Sequence, residues 1–591
     1  MLDSSLIFPI LLLVLITVVG YRFALVLAEG ALSRPDRERQ MTRRDALILT
    51  VIVAAYALRA FCGLGDMTAP ESFCHFPESG SQVVLELEED RTVEQLLYYT
   101  GLKTGTYTVS VSDDGVYWTD IGTLEQKHSM LFSWREGELA PFETRYLRLT
   151  SDKELYLGEL EVRDGDGESI PLKAVSGEAE KLLDEPDIVP ESRTCLNGTY
   201  FDEIYHARTA YENVVNVYPY EISHPPLGKL IISIGIRLFG MNPFGWRCMG
   251  TLTGVLMLPV LYLLLKRLFG NTATAGCGTL IFAFDFMHFV QTRIATIDSY
   301  AVFFILLMYY FMYRFVTEGK LRHLALSGIS FGLGAASKWT CIYAGAGLAL
   351  IWLIYWVLRF RREKEFRPLA ENILFCLLFF VLIPGAIYYA SYYPYGKAIG
   401  LEGIGMYFKP EYARLVWDNQ VSMLTYHVGV DATHPYSSRW YQWIFDARPI
   451  LYYLDYGADG TKSAIAAFVS PLLCWGGLFA MVAMGHLALR KRDARAGFIL
   501  IGYLAQLVPW MFVSRITFEY HYFACTVFLT LALCYALDGI RRCDRWGKWP
   551  MYVCTAVSLG LFLLFMPVLT GTWADASWTG LFLKWFPSWP V

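Results

Sequence analysis

Long apolar runs recur along the whole chain and constrain its fold more than any other sequence feature. The stretch from Leu6 to Leu27 is the first, and runs of about 17–25 residues return as far as the C-terminal region. A run of this length crosses a bilayer as a helix, because only a helix or a closed barrel satisfies its backbone hydrogen bonds in lipid. The 591 residues are 55% hydrophobic, with a mean hydropathy of +0.36. The sequence therefore predicts a polytopic α-helical membrane protein.

Clusters of Lys and Arg between these runs predict the orientation, because cytoplasmic loops of membrane proteins are enriched in both. The clusters are Arg34, Arg37, Arg39, Arg43 and Arg44; Lys266 and Arg267; Arg314, Lys320 and Arg322; Arg359 to Arg367; Arg490 to Arg495; and Arg541 to Lys548. With every cluster in the cytoplasm, about twelve crossings follow, at roughly 5–28, 45–63, 246–266, 272–291, 295–313, 323–337, 340–357, 370–392, 462–487, 497–513, 517–537 and 549–570. Both termini and two polar segments, about 64–245 and 393–461, then face outward.

The crossings and polar segments predict seven consecutive regions. They are an N-terminal helix with a basic cytoplasmic loop (1–44), a first core helix (45–77), a β-rich insertion (78–175), an outer loop (176–245), transmembrane helices (246–392), a second outer loop (393–461) and C-terminal transmembrane helices (462–591). The apolar run from Leu227 to Phe239 is too short to span and carries Lys229. We expect it to form an amphipathic helix in the membrane interface.

The segment from about 80 to 172 has a different pattern. YTVSV at 107–111 and YLRL at 146–149 alternate apolar with polar residues, and Asp113-Asp114-Gly115 supplies a turn. This pattern predicts an inserted β-sandwich. Its sequences YTVSVSDDGVYWTDIGTL, RYLRLT and LGELEV resemble a discoidin-like module. That resemblance implies recognition of carbohydrate or acceptor, with a spacer or packing domain as the alternative.

Charge and cysteine usage exclude some functions. The formal net charge of −5 argues against nucleic acid as a partner, because such binding needs a concentrated basic face. Most of the 12 cysteines stand singly, and no CxxC or Cys/His spacing indicates a metal site. Cys74 and Cys195 flank the first polar segment, where an oxidising compartment would permit a disulfide. The sequence leaves this bond open.

Polar residues that could carry chemistry follow the β-rich segment. Asp202 and Glu203 are adjacent in TYFDEIYHARTAYE, and His206 lies one helical turn beyond Asp202 on the same face. Acidic residues at a helix start commonly serve as caps. Further on, SHPPLGKL places His224 and Lys229 beside two prolines that stiffen the chain. No HxxxH or HExxH spacing supports zinc, and no metal is predicted.

These motifs resemble those of a known family. FDE, HPPLGK, GWRCMG and TRIATIDSY stand in the order and approximate spacing seen in dolichyl-phosphate-mannose protein O-mannosyltransferases and their bacterial relatives. The similarity continues through GAASKWT, YHVGVDATHPYSSRWYQWIFDARPI and PWMFVSRITFEYHYF, and it omits only the first helix and the β-rich segment. The resemblance implies a C-type glycosyltransferase fold, a polyprenyl-phosphate sugar donor, inversion at the anomeric carbon, and no metal or other cofactor.

The resemblance also implies roles for the best-matched residues. Asp202 matches the catalytic carboxylate, which would take the proton of the acceptor hydroxyl, and Glu203 matches the supporting position. Arg247 and Arg293 stand at outer ends of predicted crossings and suit a phosphate whose charge grows as the glycosidic bond breaks. Snorkelling to the interface is the alternative for either arginine.

Further candidates extend the predicted site. Asp298 lies just inside an apolar run and needs a basic partner, which would be Arg293 or another cation. Lys338 and Trp339 would add charge and an aromatic wall to the donor site, or would anchor a helix at the interface. Arg515 is a candidate for contact with the donor phosphate. The residues predicted to shape the site are His206, His224, Lys229, Asp298, His427, Arg448 and His521.

The sequence therefore predicts an enzyme that moves mannose, or a similar hexose, from polyprenyl phosphate to Ser or Thr hydroxyls of a secreted or translocating protein. We expect it to be a multi-pass protein among the lipids of a bacterial plasma membrane, with an extracytoplasmic active site and contact with the protein export machinery. A glycolipid or cell-wall polymer as acceptor is the first alternative. A transporter or flippase is disfavoured, because the candidate charges collect at helix ends instead of the bilayer midplane. A silent glycan sensor is disfavoured by the intact motifs.

Overall fold

The computed structural model describes residues 6–28, 40–89, 91–543 and 547–590. The predicted basic residues Arg34, Arg37 and Arg39, and part of the Arg541 to Lys548 cluster, lie outside the described residues. The chain forms two units. The β unit comprises Gly63–Tyr220 and Ile232–Met249, and the helical unit comprises Met1–Cys62, Glu221–Ile231 and Gly250–Val591.

Antiparallel strands in two sheets form most of the β unit, as the alternating sequence pattern predicts. The strands are β1 Cys74–Phe76, β2 Gln82–Leu87, β3 Gln95–Thr100, β4 Gly105–Ser112, β5 Thr119–Gln126, β6 Trp134–Glu136, β7 Tyr146–Ser151, β8 Leu155–Arg163 and β9 Leu172–Ser176. One sheet has the order β1-β8-β3-β6 and the other β5-β4-β7-β2-β9. The connecting segments include short 3₁₀ turns at His128–Met130, Ala179–Leu182 and Pro186–Ile188.

The core of the sandwich follows from strand register. Leu149 on β7 lies opposite Val83 on β2 and Val109 on β4, and all three side chains are buried. Because alternate residues of a strand point to the same face, such rows build a continuous apolar layer. Cys74 belongs to this core, and no disulfide joins it to Cys195, although both residues are described. Burial raises the pKa of the Cys74 thiol to about 12.

Both units contain helices. They are α1 Ile7–Ala28, α2 Arg43–Phe61, α3 Glu203–Val214, α4 Leu227–Phe239, α5 Pro243–Phe269, α6 Thr272–Ala283, α7 Phe286–Thr292, α8 Asp298–Glu318, α9 Leu321–Ser337, α10 Cys341–Glu363, α11 Arg367–Leu377, α12 Ile383–Ala390, α13 Tyr393–Ala398, α14 Pro410–Gly429, α15 Trp440–Trp443, α16 Gly477–Arg490, α17 Ala494–Leu507, α18 Phe523–Cys543, α19 Lys548–Thr570 and α20 Ala576–Phe582. Wider π turns join α11 to α12 at Leu378–Leu382 and precede α16 at Leu472–Gly476. α4 has the bounds of the predicted amphipathic run.

Most of the predicted crossings are helices of spanning length. Within the described residues, nine helices are long and apolar enough to cross a membrane, and ten if α6 and α7, bent by 58°, form one span. The chain is thus a multi-pass membrane protein. α2 and α9 occupy two more predicted crossings, but α9 has only 17 residues. α2 carries charged residues. Its Asp45 forms a buried ion pair with Lys266 at 3.0 Å. The basic-cluster pattern assigns Lys266 to a cytoplasmic loop.

One predicted boundary is wrong. The crossing expected from residue 462 begins at Leu472, because the preceding residues form a strand. β10 Ile450–Tyr456 pairs with β11 Thr461–Ala467, and β11 also pairs with β12 Ala574–Asp575. The sequence AIAAFV is apolar in either state, so hydropathy alone could not separate a buried strand from the start of a helix.

Candidate active site

Asp202 stands at the entrance of α3 in the β unit. Its backbone carbonyl accepts hydrogen bonds from the amides of Tyr205 and His206, each 3.1 Å long, so Asp202 is the N-cap residue. Its carboxylate makes no capping hydrogen bond to the described helix. Phe201, directly before it, has a φ of 50°, a left-handed conformation that is costly for a non-glycine residue and concentrates at functional sites. The capping interpretation therefore does not account for the Asp202 side chain.

Glu203, the neighbouring carboxylate, is held in a bidentate ion pair. The Arg247 Nε lies 2.8 Å from Glu203 Oε1, and one terminal nitrogen lies 2.7 Å from Oε2. Both side chains are almost fully buried. This parallel pairing orients the first turn of α3 and commits both Glu203 oxygens to Arg247. The supporting role of Glu203 stays a prediction.

Arg247 does not have the role predicted for it. Its five N–H donors are all occupied: two bind Glu203, and three bind the backbone carbonyls of Leu64, Cys195 and Gly198 at 2.9 to 3.0 Å. The guanidinium also lies 4.7 Å from the centroid of the Tyr200 ring. With these partners and 1% exposure, Arg247 has no donor for a phosphate. Arg247 instead positions the segments that surround Asp202.

We expect Arg247→Ala to lower the free energy of unfolding by about 3–5 kcal/mol, because it leaves the buried Glu203 carboxylate unpaired. Arg247→Ala combined with Glu203→Leu removes both charges and should be less destabilised than the sum of the single variants. Thermal unfolding of the purified protein in detergent measures both effects. Arg414→Ala, which alters a side chain 83% exposed on α14, is the control. Wild-type stability of Arg247→Ala would contradict the assignment.

In the helical unit, the segment before α4 forms a tightly bonded turn. Lys229 is fully buried, and its ammonium donates to the Glu221 carboxylate at 2.6 Å and to the carbonyls of Glu221 and His224 at 2.7 and 3.0 Å. Glu221 also accepts from His224 Nδ1 at 3.1 Å and from the Ser223 hydroxyl. Lys229 thus fixes the Glu221 carboxylate, which in turn holds the His224 ring. Glu221 was missed in the sequence, although it stands three residues before His224.

His427 on α14 packs against this turn. Its Nε2 donates to the Ser223 carbonyl at 2.9 Å, and its ring lies 5.3 Å from that of His224 and 6.1 Å from Trp339. Burial, with smaller contributions from His224 and Arg515, lowers the pKa of His427 to about 4. Burial also lowers the pKa of His224, against the opposing effect of Glu221. Both rings are therefore neutral at physiological pH.

Lys338 and Asp298 form the predicted intramembrane pair. Lys338 follows α9, and its ammonium lies 2.7 Å from Asp298 Oδ1 at the start of α8. The partner of Asp298 is thus a basic group, as expected, but it is Lys338 and not Arg293. Lys338 also lies 5.5 Å from the centroid of Tyr520, whose ring stacks on His521 at 4.5 Å. Electrostatic contact with Lys338, Arg515 and His224 places His521 in the same group.

Arg515 is the least committed cation of this group. Its guanidinium makes one hydrogen bond among the described residues, a 3.3 Å bond from Nη1 to the Ile516 carbonyl, and it is half-buried. It interacts electrostatically with His427 and His521. We call the two cations Lys338 and Arg515, together with the neighbouring rings of His224, His427 and His521, the cationic cluster.

Three other candidates lie elsewhere. Arg293 donates to the carbonyls of Ala60 and Cys62 at 3.0 and 3.1 Å and so caps the C-terminal end of α2. Arg448 donates to Pro435, and no described hydrogen bond joins it to the cationic cluster. His206 is buried on α3 of the β unit. The sequence matched the residue types, but the helix-end pattern did not distinguish a phosphate ligand from a capping arginine.

One group in the described residues has the spacing of metal ligands: Glu159, Asp184 and Glu185 of the β unit, with ligand atoms within 4.8 Å of one another. Burial and the two neighbouring carboxylates raise the pKa of Glu159 to about 8. The Glu185 carboxylate accepts the backbone amides of Glu71 and Ser72, and Asp184 accepts the Ser72 hydroxyl. These bonds close the base of the sandwich and account for the acidic residues there.

We expect the free energy of unfolding to fall as the pH drops from 6.5 to about 4. In this window the unfolded chain protonates His427 while the folded chain, with its lowered pKa, does not, so the stabilisation present above pH 6.5 is lost. His427→Gln keeps a donor for Ser223, cannot be protonated, and should flatten this dependence. Thermal unfolding across this pH range is the measurement, and His486→Gln, at an exposed position on α16, is the control. An unchanged slope in His427→Gln would refute the expectation.

Comparison with known proteins agrees with the motifs. Residues 223–386 match the family profile described as dolichyl-phosphate-mannose-protein mannosyltransferase, and residues 413–589 match the C-terminal four-transmembrane region of protein O-mannosyltransferase. A polyprenol-phosphate-mannose–protein mannosyltransferase of Mycobacterium tuberculosis is 26% identical over 465 residues, or 67% of this chain and 88% of that relative. A relative of the same name from Mycolicibacterium smegmatis is 26% identical over 466 residues, 67% of this chain and 89% of its own.

A solved structure shares the fold. The protein O-mannosyltransferase complex of Saccharomyces cerevisiae bound to the sugar donor superposes with a TM-score of 0.58 at 13% identity, over 66% of this chain and 89% of that chain. The chain is therefore a multi-pass membrane protein with the C-type glycosyltransferase fold. It belongs to the protein O-mannosyltransferase family and is a glycosyltransferase. Neither profile includes the β-sandwich, whose resemblance to discoidin-like modules stays a prediction.

Proposed function

We propose that the protein transfers mannose from a polyprenyl-phosphate carrier to Ser or Thr hydroxyls of proteins on the outer face of a bacterial plasma membrane. The observation that carries the proposal is Asp202, which occupies the family's FDE motif with a carboxylate that is not used as a helix cap. The mycobacterial relatives are named for a polyprenol-phosphate-mannose donor and a protein acceptor, which supports the proposal.

Asp202 is the general base of this reaction. The acceptor hydroxyl is a poor nucleophile, so Asp202 takes its proton as the oxygen attacks the anomeric carbon. The new carbon–oxygen bond forms as the bond between the anomeric carbon and the phosphate oxygen breaks, which inverts the anomeric configuration. The phosphate leaves with the bonding electrons. Glu203 and Arg247 hold the start of α3 so that Asp202 keeps its orientation.

The cationic cluster binds the donor phosphate. Asp298 already neutralises Lys338, and the rings of His224 and His427 are neutral, so Arg515 supplies the uncompensated positive charge. Its remaining N–H groups can donate in parallel to two phosphate oxygens, and such charge-assisted bonds strengthen as the leaving group gains charge. These groups provide the electrostatic stabilisation that a metal would otherwise supply. We therefore propose a reaction that requires no metal.

The acceptor proposed here is a secreted or translocating polypeptide, since the outward orientation predicted for residues 64–245 and 393–461 would put the reaction where such chains emerge. From the same predicted orientation we expect contact with the protein export machinery. A glycolipid or cell-wall polymer would present an equally suitable hydroxyl, so the acceptor class is tested directly below.

Asp202→Asn should abolish transfer and leave donor binding intact, because the amide keeps the side-chain volume but cannot accept a proton. Membranes that contain each variant are incubated with radiolabelled polyprenyl-phosphate mannose and a Ser/Thr-rich peptide, and label in the peptide is counted. Asp113→Asn, in the exposed turn between β4 and β5, is the matched control and should behave as wild type. Near-normal transfer by Asp202→Asn would eliminate it as the base. Label in glycolipid but not in peptide would show that the acceptor is a glycolipid instead of a protein.

Arg515→Gln should weaken donor binding about tenfold or more, because a hydrogen bond to a charged group contributes about 1.5–3 kcal/mol. The dissociation constant of the lipid-linked donor is measured for both proteins in detergent. Arg414→Gln removes an exposed arginine of the same unit and should leave the constant unchanged. Equal donor affinity of Arg515→Gln and wild type would exclude Arg515 from the phosphate site.

A further inference from the structure

Three aromatic rings beside the catalytic helix form a stacked surface within the β unit. The rings of Tyr205 and Tyr220 are nearly parallel, with an interplanar angle of 10° and centroids 6.5 Å apart. His128 stacks on Tyr220 at 4.8 Å and 23°. Tyr205 and Tyr220 are 37% and 43% exposed, so the stack is accessible from outside. We call these three residues the aromatic platform.

Buried polar side chains make the platform rigid. Arg208 lies 3.9 Å from the centroid of Tyr220 and forms a buried ion pair with Glu212 at 2.8 Å. Glu212 also accepts the backbone amide of Tyr220 at 2.7 Å. The Tyr220 ring and its backbone are therefore both held from α3. A fixed aromatic surface loses little side-chain entropy when it binds a ligand.

The hydrogen bonding of His128 determines its tautomer. Arg208 has only donors, so the 3.3 Å contact between its Nη1 and His128 Nδ1 makes Nδ1 the acceptor. The ring proton then sits on Nε2, for which no protein partner is found among the described residues. Burial and the neighbouring Arg208 and Lys153 lower the pKa of His128, which agrees with a neutral ring. The platform thus carries one available N–H donor.

The platform joins the inserted sandwich to the active-site helix. Tyr205 lies in the first turn of α3, and its backbone amide bonds to the Asp202 carbonyl. His128 comes from the loop between β5 and β6. Thr199, three residues before Asp202, donates two hydrogen bonds to the same loop. Its amide bonds to the Phe132 carbonyl and its hydroxyl to the Leu131 carbonyl. The insertion is therefore bonded to the segment that carries the proposed base and is not a detached spacer.

We propose that the aromatic platform of Tyr205, Tyr220 and His128 binds the acceptor polypeptide as an extended, proline-containing segment. Arg208 and His128 already lie against the Tyr220 ring, so proline rings pack on the exposed parts of the two tyrosine rings. The His128 Nε2–H donates to a peptide carbonyl. Grooves lined with aromatic residues bind polyproline II segments in this way, because such segments are already extended before binding. The platform would present the Ser or Thr hydroxyls near a proline to Asp202. The inference rests on the proposed function for the identity of the ligand as an acceptor.

The polar groups around the platform favour peptide over glycan. A sugar carries many hydroxyls, and its binding site must satisfy those that become buried. Here Arg208 and Glu212 are paired with each other, and Thr209 donates to Glu212. The exposed parts of the two tyrosine rings and the His128 donor remain, which suits a segment with apolar rings and a few backbone carbonyls.

The test measures peptide binding in the Asp202→Asn background, so that it does not depend on turnover. A fluorescent Ser/Thr peptide with prolines, and a matched peptide with each proline replaced by alanine, are titrated into the detergent-purified protein, and anisotropy gives the dissociation constants. Tyr220→Ala and Tyr205→Ala should each weaken binding of the proline peptide about tenfold, and His128→Ala about threefold or more. Tyr117→Ala, which removes an 81% exposed tyrosine of the same unit, should have no effect.

The two peptides separate stacking from a general loss of structure. With the platform intact the alanine peptide should bind about tenfold more weakly than the proline peptide, and in Tyr220→Ala the two should bind alike. Unchanged donor affinity and unfolding temperature show that each variant is folded. Equal proline preference in Tyr220→Ala, or wild-type binding by all platform variants, would overturn the inference. Binding of free mannose oligosaccharides, lost in Tyr220→Ala, without peptide binding would also overturn it.

These outcomes are separable from failure of the proposed function. If the wild type transfers no label to peptide although platform-dependent peptide binding is observed, the proposed reaction is wrong, and the assignment of the platform as a peptide-binding surface is kept. If transfer occurs but the platform variants keep the KM of the wild type for the proline peptide, the reaction stands and the platform assignment is wrong.

Discussion

The buried guanidinium of Arg247 is the constraint on which the segment around Asp202 in the β unit depends. A charge removed from water must be fully paired, and Arg247 meets this requirement with a bidentate bond to Glu203 and three backbone carbonyls. Those carbonyls belong to segments before and after the β-sandwich. One side chain thus fixes the chain entering the sandwich, the chain leaving it and the first turn of α3. Asp202 owes its orientation to this arrangement.

Compensation of charge also organises the helical unit. Lys229 is balanced by Glu221 at 2.6 Å, Lys338 by Asp298 at 2.7 Å and Lys266 by Asp45 at 3.0 Å. Buried cations that are already paired have little attraction left for a ligand. The half-buried Arg515 differs from them because its bond is to a neutral carbonyl. Among the described residues of the cationic cluster, Arg515 is therefore the electrostatic partner that we propose for a lipid phosphate, and the neighbouring histidine rings could add hydrogen bonds to it.

The sequence alone could not identify the partners of several charged residues. Asp298 required a cation, and the chain could not indicate that Lys338, forty residues away, would supply it. Arg247 and Arg293 stand at helix ends, where an arginine can bind phosphate, snorkel to the interface or cap the helix. Sequence periodicity does not distinguish these three roles. Arg247 instead binds Glu203, and Arg293 caps α2. The strand at Thr461–Ala467 was missed because hydropathy does not distinguish the apolar run that begins within it, AIAAFV, from the start of a helix.

The sequence by itself determined the membrane class, most of the crossings, the β-sandwich and the motif that carries Asp202. These properties depend on hydropathy, strand alternation and local residue order, which can be read along the chain. The tertiary structure decided which charges neutralise one another, which arginine keeps uncommitted donors, and that His128 of the insertion stacks on Tyr220 beside α3. Those facts depend on distances between residues far apart in sequence, and such distances cannot be read from the sequence alone.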